Sequence, residues 1–386
     1  MRIGIVGNYG NNNNGDEAIL LGIITQLTTH FDVTTKDITV FSNNPEQTKE
    51  RYGVDSYPLY YKKGSIVKTF AETVKQSRKI VNKLDVVIIG GGGILMDLYK
   101  REAPLYGTYG ILGKMGGAKV IVYGCGAGPL TSSVGKFFIK RLAAVADSIS
   151  VRDPESQALL KSVGVTKPVE IIGDPAFTLT TAKKHKLSTK IEKIGVTAVP
   201  YYNIKYWPEA DEEKYQAYVQ GMAKNLDELV EKKNVQVTFF STKYPQDVWV
   251  TKDIYEAMKN KQGVVVNEEH LSPAQLIDVC GGMDVVIGTR LHSIILSLDA
   301  ETPVIGVGYH HKVAHFMQMV GKSDQCVSMS DISESSQHFL NIVEKMDDSW
   351  EQVQLEANRI SGELKEKAAK GLKQFSMLPA KEGFIK

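Results

Sequence analysis

Short β-branched runs, each followed by a turn and then a helical pattern, recur along this sequence. RIGIVG, DITVFS, DVVIIG, AKVIVYG, SISVR and VEIIG fill the first half. Runs this apolar need cover on both faces, and the strand-turn-helix order brings successive strands back in parallel. The expected architecture is therefore α/β, a doubly wound, Rossmann-like parallel sheet with helices on each side. The pattern lapses in TLTTAKKHKLSTKIEK, which is polar and Lys-rich, and restarts with KIGVT, VQVTFF, GVVV, DVVIG and PVIGVG. At 386 residues the chain suits two such domains better than one ordinary core. The expected boundaries are 1–178 and 179–345, with a helical segment over 346–386 packing back on the first domain.

Open α/β sheets place their sites at the carboxyl ends of strands, so the loops that follow the apolar runs matter most. NYGNNNNGDEAIL comes first. Asn and Gly tolerate left-handed backbone, and such a loop can aim several amide N–H groups at one polar ligand. Asn14, Gly15 and Asp16 are the candidates there, although Asp16 and Glu17 equally suit a simple helix start. In GGGGILMD, four glycines follow a fully apolar strand. A tight turn accounts for one or two of them; four point to a ligand-facing loop with Gly91, Gly92 and Gly93 at its centre and Asp97 as a sugar-hydroxyl acceptor or a cap. LDVVIIGGGG and MDVVIGTRLH echo one another, which suggests one ligand loop per domain.

Arg152 in SVRDPES ends an expected strand, with Asp153 and Pro154 as helix N-cap and first-turn residue. It either faces the interdomain crevice or pairs with Asp153 or another local acid. The densest cluster is GTRLHSIIL, where Arg290 and His292 place a fixed cation beside a titratable imidazole at a strand end. His311 and His315 have i, i+4 spacing, yet no third ligand and no HExxH accompany them, so a solvated face or loop is expected and no metal.

Composition narrows the partners. The net charge of +2, without a long basic block, argues against nucleic acid and leaves anionic small molecules open. Cys125, Cys280 and Cys326 are far apart and free of CxxC spacing, as expected for reduced core thiols. No apolar run reaches the ~20 residues of a membrane span, and the start lacks a signal peptide's regions. The cytoplasm is the expected location, with a peripheral contact at the inner face of the membrane left open.

Together GNYGNNNNGDEAIL, DVVIIGGGGILMD, SVRDPES and GTRLHSIIL with PVIGVGYHHKV resemble the polysaccharide pyruvyl transferase family, in the same order from the first strand to about residue 320. The resemblance implies a GT-B-like pair of Rossmann-like domains facing a central cleft. It also implies transfer of the enolpyruvyl unit of phosphoenolpyruvate onto a sugar as a cyclic ketal, with release of phosphate. On this reading Arg152, Arg290, Leu291, His292 and Lys312 surround phosphoenolpyruvate, a co-substrate that leaves no need for a cofactor. His292 would protonate the methylene carbon, and Asn14, Gly15, Asp16, Gly91, Gly92, Gly93 and Asp97 would face the acceptor sugar, free or lipid-linked. The chain departs from the family where His310 and His311 stand in place of a usual Asp-Pro. A nucleotide-sugar glycosyltransferase and a non-catalytic sugar-binding protein are the rival readings, and both a monomer and a homo-oligomer are compatible with the sequence.

Overall fold

The computed structural model describes residues 1–179, 185–207, 209–309 and 311–381. Two compact units result: Met1–Leu179 with Leu364–Lys386, and Thr180–Glu363. Residues 346–363, expected to belong with a separate C-terminal segment, group with the second unit; only the remainder joins the first. The reason is visible at Trp350 and Gln354, which hydrogen-bond to Ser188 at the start of the second unit.

The first unit runs β1 (Ile3–Val6), α1 (Asn14–His30), β2 (Ile38–Ser42), α2 (Pro45–Tyr52), β3 (Asp55–Pro58), α3 (Ile66–Val81) and β4 (Val86–Gly90). It continues with α4 (Glu102–Met115), β5 (Lys119–Cys125), α5 (Ser133–Val145), β6 (Ser148–Val151), α6 (Pro154–Ser162) and β7 (Glu170–Ile171). All seven strands are parallel, in the order β3-β2-β1-β4-β5-β6-β7. The side chains of β4 alternate between the two covered faces, Val87 and Ile89 joining the core beneath α4 and α5. On the other face α1 approaches so closely that a Cβ on Gly22 would lie 2.1 Å from the Pro175 carbonyl oxygen. Residues 364–381 seal that side. Phe375 is fully buried between Phe31 and Tyr123, and the Ser150 hydroxyl donates to Gln374 Oε1 at 2.7 Å.

The second unit runs β8 (Lys193–Val196), α7 (Glu212–Lys233), β9 (Gln236–Phe239), α8 (Gln246–Ala257), β10 (Val264–Val266), α9 (Pro273–Gly281) and β11 (Val285–Gly288). Then come α10 (Leu291–Asp299), β12 (Val304–Gly308), α11 (His311–Met319), β13 (Cys326–Ser328), α12 (Met329–Glu334), α13 (His338–Asp347) and α14 (Trp350–Ala369). Its parallel order is β10-β9-β8-β11-β12-β13, the same winding as the first sheet. Asn225 in α7, fully buried, organises one face: its amide donates to the Ser335 carbonyl at 2.7 Å and its oxygen accepts from His338 N at 3.0 Å. Among the described residues no helix is long and apolar enough to cross a membrane.

In both sheets the winding reverses beside the first strand, between β1 and β4 and between β8 and β11. Helices diverge to opposite faces there and leave a crevice at the carboxyl edge of each sheet. The two echoing stretches of sequence occupy equivalent places, as β4 and β11 with the loops that follow them.

Asp97 fixes the chain after β4. Its carboxylate, buried to 7% exposure, accepts from the backbone N–H groups of Thr131 and Ser132 (3.0 and 2.6 Å) and from the Ser132 hydroxyl (2.7 Å), tying its own loop to the start of α5. Burial pushes its pKa up, but these hydrogen bonds outweigh burial and hold it below the usual 3.8. Its contribution is therefore complete above the unfolded-state value and fades as pH falls through the lowered folded-state value. Asp97→Asn is expected to cost about 2–4 kcal/mol at neutral pH, because an amide nitrogen is set against N–H donors. Urea denaturation across pH should show the gap between wild type and variant narrowing only below about pH 4.

Candidate functional site

At the carboxyl end of β11 the chain turns sharply into α10. Gly288 permits the turn, since a Cβ there would stand 2.7 Å from the Ser293 hydroxyl and from Ile294. Hydroxyls then pin the loop across the winding reversal. Thr289 N–H donates to Thr197 Oγ1 at 3.2 Å, Thr289 Oγ1 donates to the Thr197 carbonyl at 3.0 Å, and Ser293 Oγ donates to the Arg290 carbonyl at 2.6 Å. Arg290 is thereby fixed as the residue preceding the first turn of α10, with Leu291 and His292 half-buried inside that turn.

The Arg290 side chain is 13% exposed and anchored from two other strand ends. Its Nη2 meets Asp247 Oδ1 at 2.5 Å and its Nε meets the same carboxylate at 3.2 Å, while Nη1 donates to the Tyr206 hydroxyl at 3.0 Å. Asp247, in the first turn of α8 and fully buried, also accepts from Lys243 N–H at 2.8 Å. The Tyr206 ring carries the Arg290 guanidinium 5.3 Å from its centre and the Lys243 ammonium at 5.0 Å. Burial alone would lower the basicity of Arg290, but Asp247, Tyr309 and Tyr206 outweigh it and keep the guanidinium charged. Burial likewise raises the Tyr206 pKa, and Arg290 with Lys243 more than offsets that, leaving the phenol more acidic than usual. Burial raises that of Tyr309, with Arg290 opposing.

Lys312, in the first turn of α11 after β12, is carried to the same edge by the strand adjacent to β11. The loop after β8 adds an aromatic wall, with Tyr202 stacked on Trp207 and the Trp207 ring edge-on to Tyr309. The edge thus gathers a fixed guanidinium, two further lysines, an imidazole and the amides of a helix start. Such a set suits an anion bearing more than one charged group.

Asp247, Tyr206 and Lys243 escaped the sequence reading. Asp247 reads locally as an acid favouring a helix start, and nothing in STKYPQD marks it as the partner of an arginine 43 positions away. The aromatic density of YYNIKYW between a strand and a helix was the available signal.

The first unit treats its candidates differently. Asn13 caps α1, accepting from Gly15 N–H at 3.3 Å, and Asn14 is buried. Asp16 accepts from the side-chain amides of Asn8 and Asn13 at 3.0 and 2.9 Å. Glu17, also buried, accepts from Gly10 N–H at 2.7 Å and so clamps the Asn-rich turn. The glycine run owes its composition to α1: Gly91 has φ +65° and a Cβ there would lie 1.8 Å from Ile19, while Gly92 has φ +70° and its Cβ would stand 2.8 Å from Asp16 Oδ1. At Gly91 and Gly92 packing against α1 alone suffices to forbid a side chain; Gly93 is half-buried beside them. Asp97 is occupied in holding α5, as described above.

Arg152 lies in this first unit, whereas Arg290, Leu291, His292 and Lys312 belong to the second. Its side chain, 9% exposed, pairs with Asp174 at 3.0 Å and Asp153 at 3.5 Å, and it packs on Gly126, where a Cβ would come within 3.1 Å of the guanidinium. Burial opposes its charge and the two carboxylates restore it. His310 lies outside the described residues, and His311 enters as backbone in α11, so of the two expected settings, a solvated face or a loop, the segment takes a helix. His315 is exposed on that helix. Among the described residues no group of three or more His, Cys, Asp or Glu is arranged to hold a metal ion.

Several solved structures share this architecture at low sequence identity. UDP-GlcNAc 2-epimerase of Neisseria meningitidis, bound to UDP-GlcNAc, superposes with a TM-score of 0.63 at 12% identity, covering 98% of this chain and all (100%) of that one. Anabaena Alr3699/HepE, in complex with UDP and glucose, gives 0.60 at 10% identity over 98% of each chain. At such identities the likeness establishes the α/β fold with its two Rossmann-like units. In sequence, the chain is 25% identical to the amylovoran biosynthesis protein AmsJ of Erwinia amylovora, over 93% of this chain and 95% of that protein. The model of the polysaccharide pyruvyl transferase family matches residues 13–311, from the Asn-rich turn to the start of α11, and the chain belongs to that family.

Proposed function

We propose that this enzyme transfers the pyruvyl unit of phosphoenolpyruvate to two hydroxyls of a sugar in a polysaccharide precursor, forming a cyclic ketal and releasing inorganic phosphate. The observation that carries this reading is the anchored guanidinium of Arg290 at the start of α10, with His292 two residues on and Lys243 and Lys312 after other strands of the same sheet. Phosphoenolpyruvate bears a carboxylate and a phosphate close together, and several cations gathered at one sheet edge match that pattern. Asp247 and Tyr206 hold the fork rigid before the donor arrives, so little reorganisation is left for the reaction itself.

His292 gives a proton to the methylene carbon of the donor. The adjacent carbon, left electron-poor, is attacked by one sugar hydroxyl, which loses its proton to a base or solvent. The bond to the phosphate oxygen then breaks, its electron pair leaves with phosphate, and the second hydroxyl closes the ring with loss of its own proton. Arg290 and Lys312 stabilise the charge on departing phosphate. The Asn-rich turn of the first unit is the surface we assign to the acceptor, and Arg152, whose paired carboxylates fix its direction, stays among the residues proposed for phosphoenolpyruvate.

Incubation with phosphoenolpyruvate and a panel of cell-envelope sugar precursors tests the reading directly. Phosphate release coupled to a product of ketal mass is expected; release of a nucleoside diphosphate from a UDP-sugar instead would identify a glycosyltransferase. His292→Asn removes the transferable proton and should lower turnover by about 100- to 10,000-fold while calorimetric donor affinity changes little. Loss of donor affinity in proportion to turnover would make His292 a binding residue. Arg290→Lys cannot bridge Asp247 and Tyr206 and should weaken donor binding by about 1.5–3 kcal/mol. Turnover is expected to persist after exhaustive chelation, and restoration by one defined divalent ion would contradict the metal-free scheme.

A further inference from the structure

Exposed apolar side chains are usually scattered, and contiguous patches mark contact surfaces. One face of the first unit departs from that rule. The later turns of α3 bury Thr73, Ser77 and Val81, whereas its first turn carries Ile66 and Val67 into the open, at 87% and 78% exposure, with Phe70 beside them. They border a groove of about 860 Å³ that also takes in Tyr99 and Phe138. Phe138 in turn packs edge-on against Phe137 of α5, which is half exposed like Val134 one turn earlier, and Leu98 next to Tyr99 is exposed as well.

Cations frame this apolar surface. Lys62, Lys63, Lys100 and Arg101 line the groove, and among the described residues no carboxylate does. Arg101 and Lys62 lie over the ring of Tyr60, at 5.2 and 5.9 Å. Lys136, Lys140 and Arg141 project from α5, a helix without a single acid, and Arg141 covers the Phe137 ring at 5.5 Å. Glu72, the acid on the second turn of α3, is engaged by the Gln76 amide at 2.6 Å. The Asp97 carboxylate joins the 97–99 segment to the start of α5 and so holds both sides of the surface together.

We propose that this face docks on an anionic lipid surface. Ile66, Val67 and Phe70 enter the boundary between headgroups and acyl chains, the tyrosines rest at headgroup level, and the lysines and arginines meet lipid phosphates. Ile66 and Val67 line the open groove and yet stay largely exposed to solvent, which leaves them available for insertion into a fluid layer. The charge pattern excludes a basic partner and complements an acidic membrane. The inference is independent of the donor chemistry proposed above.

Sedimentation of the full chain with phosphatidylcholine vesicles, with and without phosphatidylglycerol, tests it. Binding is expected only with the anionic lipid and should weaken as salt rises. Replacing Lys62, Lys63, Lys100 and Arg101 by Gln should lower the partition coefficient by at least about 100-fold, roughly fivefold for each charge. Ile66→Ser with Val67→Ser should lower it by at least about tenfold. These side chains are exposed, so thermal unfolding without lipid should be unchanged and would expose a folding defect. The proposal is overturned by equal binding to both vesicles, by binding insensitive to either set of substitutions, or by light scattering that finds an oligomer abolished by the Ile66 and Val67 changes.

Discussion

Each sheet winds outward from its first strand in both directions, and that reversal dictates where chemistry can occur. The helices after β1 and β4 cover opposite faces, as do those after β8 and β11, so neither pair can close over the strand ends between them. Backbone amides and loop side chains collect in the opening. The Asn-rich turn and the glycine run become neighbours in the first unit for this reason. Thr197, Tyr206 and Arg290 become neighbours in the second, although 84 positions separate Tyr206 from Arg290.

Within that opening the second unit invests in one buried ion pair. A carboxylate and a guanidinium removed from water gain little net stability and lose much if one partner is deleted. Asp247 and Arg290 are embedded further, through Lys243 N–H and the Tyr206 hydroxyl, so the guanidinium has one direction to point. The arrangement makes sense as positioning: rotamer freedom is removed before any ligand is met. Arg152 in the first unit is treated in the same manner by Asp174 and Asp153. Both arginines are thus buried with acids, Arg152 in the first unit and Arg290 in the second.

Much of this was legible in the sequence because fully covered parallel strands need uninterrupted apolar runs. The strands of the two sheet centres were anticipated for that reason. β3, with the sequence DSYP, and β13, with CVS, were not, since edge strands this short owe their conformation to pairing with β2 and β12. At the site, Arg290 and His292 stood out because they interrupt an apolar stretch at a strand end. Asp247 looked like an ordinary helix-start acid, and only the register of β9 against β8 brings it to Arg290. The glycine run was legible as a close approach, but sequence carries no mark distinguishing a ligand from Ile19 and Asp16 of the chain's own helix.

The return of residues 364–381 to the first unit has a consequence for synthesis. Phe375 and Leu378 are fully buried, Gln374 is nearly so, and Gly371 packs so tightly on Tyr123 that a Cβ would lie 2.3 Å from its hydroxyl. The first unit therefore lacks part of its interior until the entire second unit has been made. Residues 180–363 are continuous, so the unit translated later holds all of its own core first. During translation the earlier unit waits with the side of its sheet around Tyr123 and Ser150 uncovered, and this open face is where a nascent chain would need shielding from misassociation.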